Sequence, residues 1–314
     1  MKIVSLVIPA YCEEQVIEEC YKRVKSVVCS LSGYDHELIF VDDGSTDNTL
    51  LLLRDLAARD EKLKILTLSR NFGHQIAITS GLDKAEGDAV VVMDADLQDP
   101  PELIPKMLEK WEEGYMVVYA KRIARKAEGR FKRWSASLFY WLLNKLANVE
   151  IQRNTGDFRL IDKRVVREIR KIREKNRFVR GLFSWVGFRQ VGIEYEREER
   201  FAGKTKYPLR KMLKFALDGI LSFSNKPLKI ALNLGFVSTL VGIVMIGYVF
   251  FGKIFFPKIM VPGWTSLLIA VVFFGGVQLL TIGVIGEYIS RIYDETKGRP
   301  LYIVEEEINF KKRS

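Results

Sequence analysis

Cysteine is scarce in this chain, and all of it lies near the start: Cys12, Cys20 and Cys29. No C-x-x-C occurs and no histidine stands at zinc-finger spacing, so structural cysteines are expected over a metal site, as three reduced cytosolic thiols. The opening residues, MKIVSLVIPAY, lack a long apolar core and a small-residue cleavage site, so no signal peptide is expected. The absence of any G-x-G-x-x-G removes a dinucleotide-binding Rossmann site. AGKTKY at Ala202–Tyr207 imitates the end of a phosphate-binding P-loop, but the required first glycine would fall at Glu198. There are no internal repeats and no low-complexity tract.

What is present is charge and two apolar runs. The chain has 314 residues, with 49 Lys+Arg against 39 Asp+Glu and a formal net charge of +10. A basic balance suits phosphate-bearing partners: nucleic acid, nucleotides or a membrane surface. No charged residue occurs from Ile230 to Gly252, nor from Ile259 to Gly286. A bilayer core needs about 20 apolar residues per helix, so each run is long enough to span. Gly235, Gly242, Gly247, Gly275, Gly276, Gly283 and Gly286 suit close packing of membrane helices. Spans are expected at 228–252 and 262–288. Lys204, Lys206, Arg210, Lys211, Lys214, Lys226 and Lys229 precede the first, and Arg291, Lys297, Arg299, Lys311, Lys312 and Arg313 follow the second. The connecting loop carries only Lys253 and Lys258, so the positive-inside rule puts both termini in the cytoplasm.

Upstream of the spans the chain alternates strands with helices. KIVSLVIPAY, HELIFVDD, LKILTLS, DAVVVMD and YMVVYAK read as strands. The segments between them read as helices, the second with Ser45 or Thr46 as N-cap. This predicts an α/β domain over 1–205 with a mostly parallel sheet covered on both faces. In YPLRKMLKFALDGILSF, Leu209, Met212, Leu213, Ala216, Leu217, Ile220 and Leu221 share a face opposite Arg210, Lys211, Lys214 and Asp218. That is a basic amphipathic helix suited to the lipid interface, assigned to 206–227. FKRWSASLFYWLLNKLA, with Trp134 and Trp141, has a similar character. Residues 289–314 are left as a cytoplasmic tail. Every strand-end motif lies upstream of Ser224, so a chain cut there is expected to keep them intact.

In open α/β sheets ligands bind at the carboxyl ends of the strands. VIPAYCEE, VDDGS and MDADLQ all fall there. The last holds Asp94, Asp96 and Asp99 within six positions, and carboxylates so close repel unless a positive group sits between them. Asp94 and Asp96 share one face of an extended segment, and Gln98 continues it with a carbonyl oxygen. Such oxygens suit Mg²⁺ or Mn²⁺, which commonly bridge carboxylates to substrate phosphates.

In order, VIPAYCEE, FVDDGSTDNT, SRNFGHQIAITSGLDKAEGD, VVMDADLQDPPE, NTGDFRLIDKRV and RFAGKTKYPLRKM resemble the family-2, GT-A-fold glycosyltransferases that act on polyprenyl phosphates. The nearest subgroup resembles dolichol-phosphate mannose synthases and bactoprenol glucosyltransferases. Cys12 departs from the family's usual Asn. The resemblance implies a nucleotide-sugar donor, with base and ribose against Pro9, Tyr11, Glu13 and Asp43 and with Asp42 nearby. It implies a diphosphate over a metal held by Asp94, Asp96 and Gln98, with Asp96 counted as catalytic. It places the phosphate of a polyprenyl acceptor against Arg122, Arg133, Ser137, Arg200 and Lys206. Asp157 matches the position proposed as catalytic base. A phosphate monoester is largely ionised near neutral pH, so Asp157 orients the acceptor or a sugar hydroxyl at least as readily as it takes a proton. His74 fits the pattern and is assigned no chemistry; His36 reads as a surface residue.

The resemblance thus implies an inverting enzyme at the inner-membrane surface, with nucleotide sugar, lipid phosphate and bilayer as partners and no nucleic acid. A homo-oligomer is compatible with it. UDP-glucose and undecaprenyl phosphate are favoured by RNFGHQ and the paired spans. GDP-mannose with dolichol phosphate, or an aminoarabinose-type donor, is the alternative. A processive synthase would carry Q-x-x-R-W and more spans, and a catalytically silent scaffold would not need Asp94, Asp96 and Asp157 intact.

Overall fold

The computed structural model describes residues 1–123, 155–196, 224, 226–255 and 263–311. Eight strands form one sheet in the order β7-β5-β6-β4-β1-β2-β3-β8. They are β1 (Lys2–Ala10), β2 (Tyr34–Asp42), β3 (Leu63–Leu68), β4 (Ala89–Val92), β5 (Val117–Arg122), β6 (Thr155–Asp162), β7 (Gln190–Tyr195) and β8 (Val304–Ile308). The β1–β2, β1–β4, β2–β3 and β5–β7 pairs are parallel. The β3–β8, β4–β6 and β5–β6 pairs are antiparallel. The sheet is therefore mostly parallel, with the GT-A-like α/β architecture.

Central strand β1 is buried from Val4 onward on both faces, as expected where helices cover both sides. Val4, Leu6 and Ile8 face one core with α1 (Ile17–Ser30), α2 (Thr49–Ala57) and α4 (Ile104–Glu112). Val7 faces the other with α3 (His74–Lys84), α5 (Lys163–Lys171) and α6 (Val179–Trp185). In α1 the buried residues Ile17, Cys20, Val24 and Val28 repeat at helical spacing, which gives one apolar stripe. Helix α3 lies so close to the sheet that a Cβ on Gly81 would come 2.3 Å from Val7 Cγ1. At α5, Asp162 caps the helix by accepting from the Arg164 N–H at 2.8 Å.

Two details differ from expectation. Neither Ser45 nor Thr46 caps α2; Asn48 holds that position, and the Ser45 hydroxyl accepts instead from the Cys12 N–H. Residues 304–308, expected in a tail, form the edge strand β8. Glu306 pairs with Arg54, and Glu307 with Lys84 at 2.5 Å. Asn309 Nδ2 donates to the carbonyls of Ala57, Asp60 and Leu63 at 3.0, 3.3 and 2.8 Å.

Helices α7 (Lys226–Phe255) and α8 (Trp264–Thr296) lie between β7 and β8 in the chain. Each contains a stretch long and apolar enough to cross a membrane, Lys226–Tyr248 and Ala270–Thr296. Leu232, Phe236, Tyr248, Val272 and Leu279 are among the large apolar side chains they expose. At 1.5 Å per residue both helices exceed the roughly 30 Å of a hydrocarbon core. The charged end of α8 reaches the α/β domain, where Glu295 Oε1 accepts from the Lys175 N–H at 2.7 Å. The expected 206–227 interface helix and the Trp134 segment lie outside the described residues.

A cut after Ser224 therefore removes β8 along with both apolar helices, and it uncovers β3. A chain ending at Gly298 isolates that effect. It should melt below the full chain, with faster amide exchange in β3. Asn309→Ala alone should cost about 1–3 kcal/mol, because it leaves carbonyls without their donor. Unchanged melting and exchange would show that β8 contributes nothing.

Candidate active site

The carboxyl ends of β1, β2 and β4 meet at one edge of the sheet. Parallel register sets Ala10 beside Asp42 and Val7 beside Val92. The loop after β1 is stitched to the loop after β2: the Cys12 N–H donates to Ser45 Oγ at 3.0 Å, and the Glu13 N–H to Thr49 Oγ1 at 2.9 Å. Asn48 closes the stitch through Glu14 Oε2 at 3.0 Å. Cys12 adopts a left-handed φ of 54°, a conformation that Asn tolerates better. Pro9 is buried and Tyr11 exposed, so the platform presents the tyrosine ring.

Asp42 and Asp43 are buried. Asp43 accepts from the Phe72 and Gly73 N–H groups at 2.7 and 2.9 Å, which fixes the start of α3. Burial pushes its carboxyl up, against these two bonds. Gly44, at φ 68°, brings this turn against the Arg70 backbone, where a Cβ would sit 2.6 Å from the carbonyl carbon. Asp42 Oδ2 accepts from the Ser45 N–H at 3.3 Å, and Oδ1 has no hydrogen-bond partner among the described residues. Burial raises the Asp42 carboxyl as well.

The acids after β4 face β6. Antiparallel register pairs Val92 with Arg159, and two further steps bring Asp94 opposite Asp157. His74, at the start of α3, stands between them: Nε2 is 3.3 Å from Asp94 Oδ1 and 3.1 Å from Asp157 Oδ2. Burial works against a charged imidazole there. The bond to Asp157 and the charges of Asp94 and Asp157 outweigh it and push His74 up to about 9. Asp94 is pushed up to about 6, by burial first and then by neighbouring acids, with His74 opposing. Asp157 is held well below the carboxylate range: burial opposes this, but the Arg180 guanidinium and His74 outweigh it.

Asp99 is fully buried beneath this group. The Tyr195 hydroxyl donates to its Oδ1, and Arg122 Nη2 lies 3.5 Å from the same oxygen. Arg122 Nε donates to Tyr195 Oη at 3.1 Å. Gly156 leaves room for that guanidinium, since a Cβ there would lie 2.6 Å from Arg122 Nη2.

His74, Asp94 and Asp157 offer ligand atoms within 4.8 Å of one another. Asp94 Oδ1 is buried and, among the described residues, has no hydrogen-bond partner, with His74 Nε2 3.3 Å away; an oxygen so placed suits a cation. Both oxygens of Asp157 are already engaged, by Arg180 and His74. A hard divalent cation therefore fits the Asp94 side of the cluster, where Asp96 and Gln98 follow in the same loop. Asp96 Oδ1 accepts from the Gln98 N–H at 3.2 Å. Of the expected acceptor contacts, Arg122 sits within the Asp99–Tyr195 network, while Arg133, Ser137, Arg200 and Lys206 lie outside the described residues. His74, Arg180 and Tyr195 are the site residues that the sequence reading left without a role.

A mostly parallel sheet with acids gathered at its strand ends suits a ligand-binding site there, and the comparisons say what kind of protein carries it. Residues 5–170 match Glycosyl transferase family 2, and residues 226–292 match the GtrB C-terminal hairpin. The chain belongs to glycosyl transferase family 2 and is a glycosyltransferase. It is similar to the Bacillus subtilis (strain 168) protein named uncharacterized glycosyltransferase YkcC, at 52% identity over 96% of this chain and 93% of that one. The glycosyltransferase sll0501 of Synechocystis sp. is 46% identical over 96% of this chain and 94% of its own. The prophage bactoprenol glucosyl transferase homolog of Escherichia coli (strain K12) is 44% identical over 97% of this chain and 98% of its own.

Tyr195→Phe removes a hydroxyl donor from a fully buried carboxylate. It should destabilise the protein by about 1–3 kcal/mol, read as a lower melting temperature. A wild-type melting curve would show that Asp99 does not depend on that bond.

Proposed function

We propose that this enzyme transfers one glucose from UDP-glucose to undecaprenyl phosphate at the cytoplasmic face of the inner membrane, with inversion at the anomeric carbon. The observation that carries the reading is the set of acids after β4, opposite Asp157, on a family-2 sheet followed by two apolar helices. The printed names of several relatives, bactoprenol glucosyl transferases, support the sugar and the acceptor. The matched C-terminal hairpin and the exposed apolar faces of α7 and α8 support a membrane anchor. Strand β8 lies in the same sheet as β1, so the chain returns after the hairpin to the side from which it left. This supports placing both termini with the catalytic domain.

In the reaction an oxygen of the lipid phosphate attacks the anomeric carbon of the donor. The bond from that carbon to the diphosphate oxygen breaks as the new one forms, and the nucleoside diphosphate leaves with the electron pair. The second pKa of a phosphate monoester is about 6, so the nucleophile is already ionised and no protein base is required. Asp94, Asp96 and Gln98 would hold Mg²⁺ or Mn²⁺, which supplies Lewis-acid neutralisation of the leaving group. Tyr11 and Glu13, with Pro9, Asp42 and Asp43 beneath, form the wall for the base and ribose. Arg122, with Arg133, Ser137, Arg200 and Lys206, would take the acceptor phosphate, for which guanidinium forks are suited.

The test is a panel of radiolabelled donors with the purified full-length protein and undecaprenyl phosphate, in Mn²⁺ and in excess EDTA. Labelled lipid should form from UDP-glucose in Mn²⁺ and fall to background in EDTA. A preference for GDP-mannose would overturn the donor, and full turnover in EDTA would overturn the metal.

A further inference from the structure

Arg180 makes two short charged contacts with Asp157, yet nothing in the proposed reaction uses it. It comes from α6, a short helix that packs onto the sheet through Val179, Leu182 and Phe183. Its Nε donates to Asp157 Oδ1 at 2.7 Å and its Nη2 to Oδ2 at 2.8 Å, a bidentate fork. Asp157 is only 3% exposed, and its Oδ2 also meets His74 Nε2 at 3.1 Å. A carboxylate offers about four acceptor positions, and three are taken here. A general base needs a lone pair facing the proton it removes. This arrangement instead resembles a support that holds other groups in place.

We propose that Arg180 is a positioning residue: its fork fixes both oxygens of Asp157, and Asp157 in turn fixes His74 against Asp94, so the pair aligns the transfer site instead of accepting a proton. The chain of contacts runs from α6 through β6 to the start of α3 and ends on the loop after β4. Four segments are thereby locked together at the point where the donor diphosphate would lie. Misplacement of reacting groups by about 1 Å costs on the order of a hundredfold in rate, so a fixed frame here acts on turnover more than on donor binding. Lysine at 180 keeps the charge but cannot fork, which separates geometry from electrostatics.

The inference rests on the transferase reading, and the two fail in different ways. The experiment is a mutant cycle in the full-length protein with Arg180→Lys, Asp157→Asn and the double variant; Arg180→Gln runs alongside, so that the cycle stands on whichever variant melts like the wild type. Turnover and donor KM are measured, and UDP affinity in Mn²⁺ is read by calorimetry. Arg180→Lys should lose at least about tenfold in kcat, while donor KM and UDP affinity stay within about twofold. The double variant should be no slower than the slower single one, because residues acting as a unit are non-additive. Wild-type turnover in Arg180→Lys, or losses that multiply in the double variant, would overturn the role of Arg180 and return Asp157 to independent action. A wild-type protein that binds UDP but transfers no sugar from any donor would sink the functional reading, and this inference with it.

Discussion

Negative charge gathered at the carboxyl edge of the sheet is the constraint on which the rest of the structure depends. Asp94, Asp99 and Asp157 are drawn together by strand register and burial, where like charges repel strongly. The protein answers with cationic partners from elsewhere in the fold. Arg180 forks onto Asp157, His74 bridges Asp157 and Asp94, and Arg122 lies against Asp99 through Tyr195. Removing one partner of such a buried pair leaves an uncompensated charge and is costly. The buried Oδ1 of Asp94 has no hydrogen-bond partner among the described residues and lies 3.3 Å from His74 Nε2, in the loop where Asp96 and Gln98 follow, which suits an external cation.

The second constraint comes with two helices long and apolar enough to cross a bilayer. Apolar helices cannot anchor an enzyme usefully unless its site is held at a fixed place relative to the surface. The chain leaves the sheet, passes through α7 and α8 and returns as β8, so the catalytic domain is joined at both ends of the hairpin. The contact between Lys175 and Glu295 adds a third tie, at the charged end of α8. Under the proposed reaction, anchoring near a lipid acceptor would raise its effective concentration to the order of millimolar.

Much of this was legible in the sequence because the signals were local. Strand–helix alternation, the strand-end position of DADLQD and the two uncharged runs each sit within one segment. What was not legible depended on pairing across distance. Asp157 meets Asp94 only because β6 runs antiparallel to β4, a register no local motif encodes. Arg180 lies in a short helix with no motif, and His74 gains its role from the acids that flank it in space. Residues 289–314 read as a cytoplasmic tail, since glutamate is a poor strand former and VEEEI carries no local strand signal, yet Glu306 and Glu307 find Arg54 and Lys84. Ser45 was read as a helix cap, since hydroxyls favour caps, but the turn at Cys12 claims it first.

The account turns on a divalent cation that answers Asp94, and binding of that ion can be measured without turnover. Electron paramagnetic resonance of Mn²⁺ titrated into the full-length protein, with and without UDP, reports the free ion directly. The account predicts that wild-type protein binds Mn²⁺ and binds it more tightly with UDP, and that Asp94→Ala loses both while its melting curve is kept. Mn²⁺ binding of equal strength in Asp94→Ala and wild type, with UDP present, would contradict it.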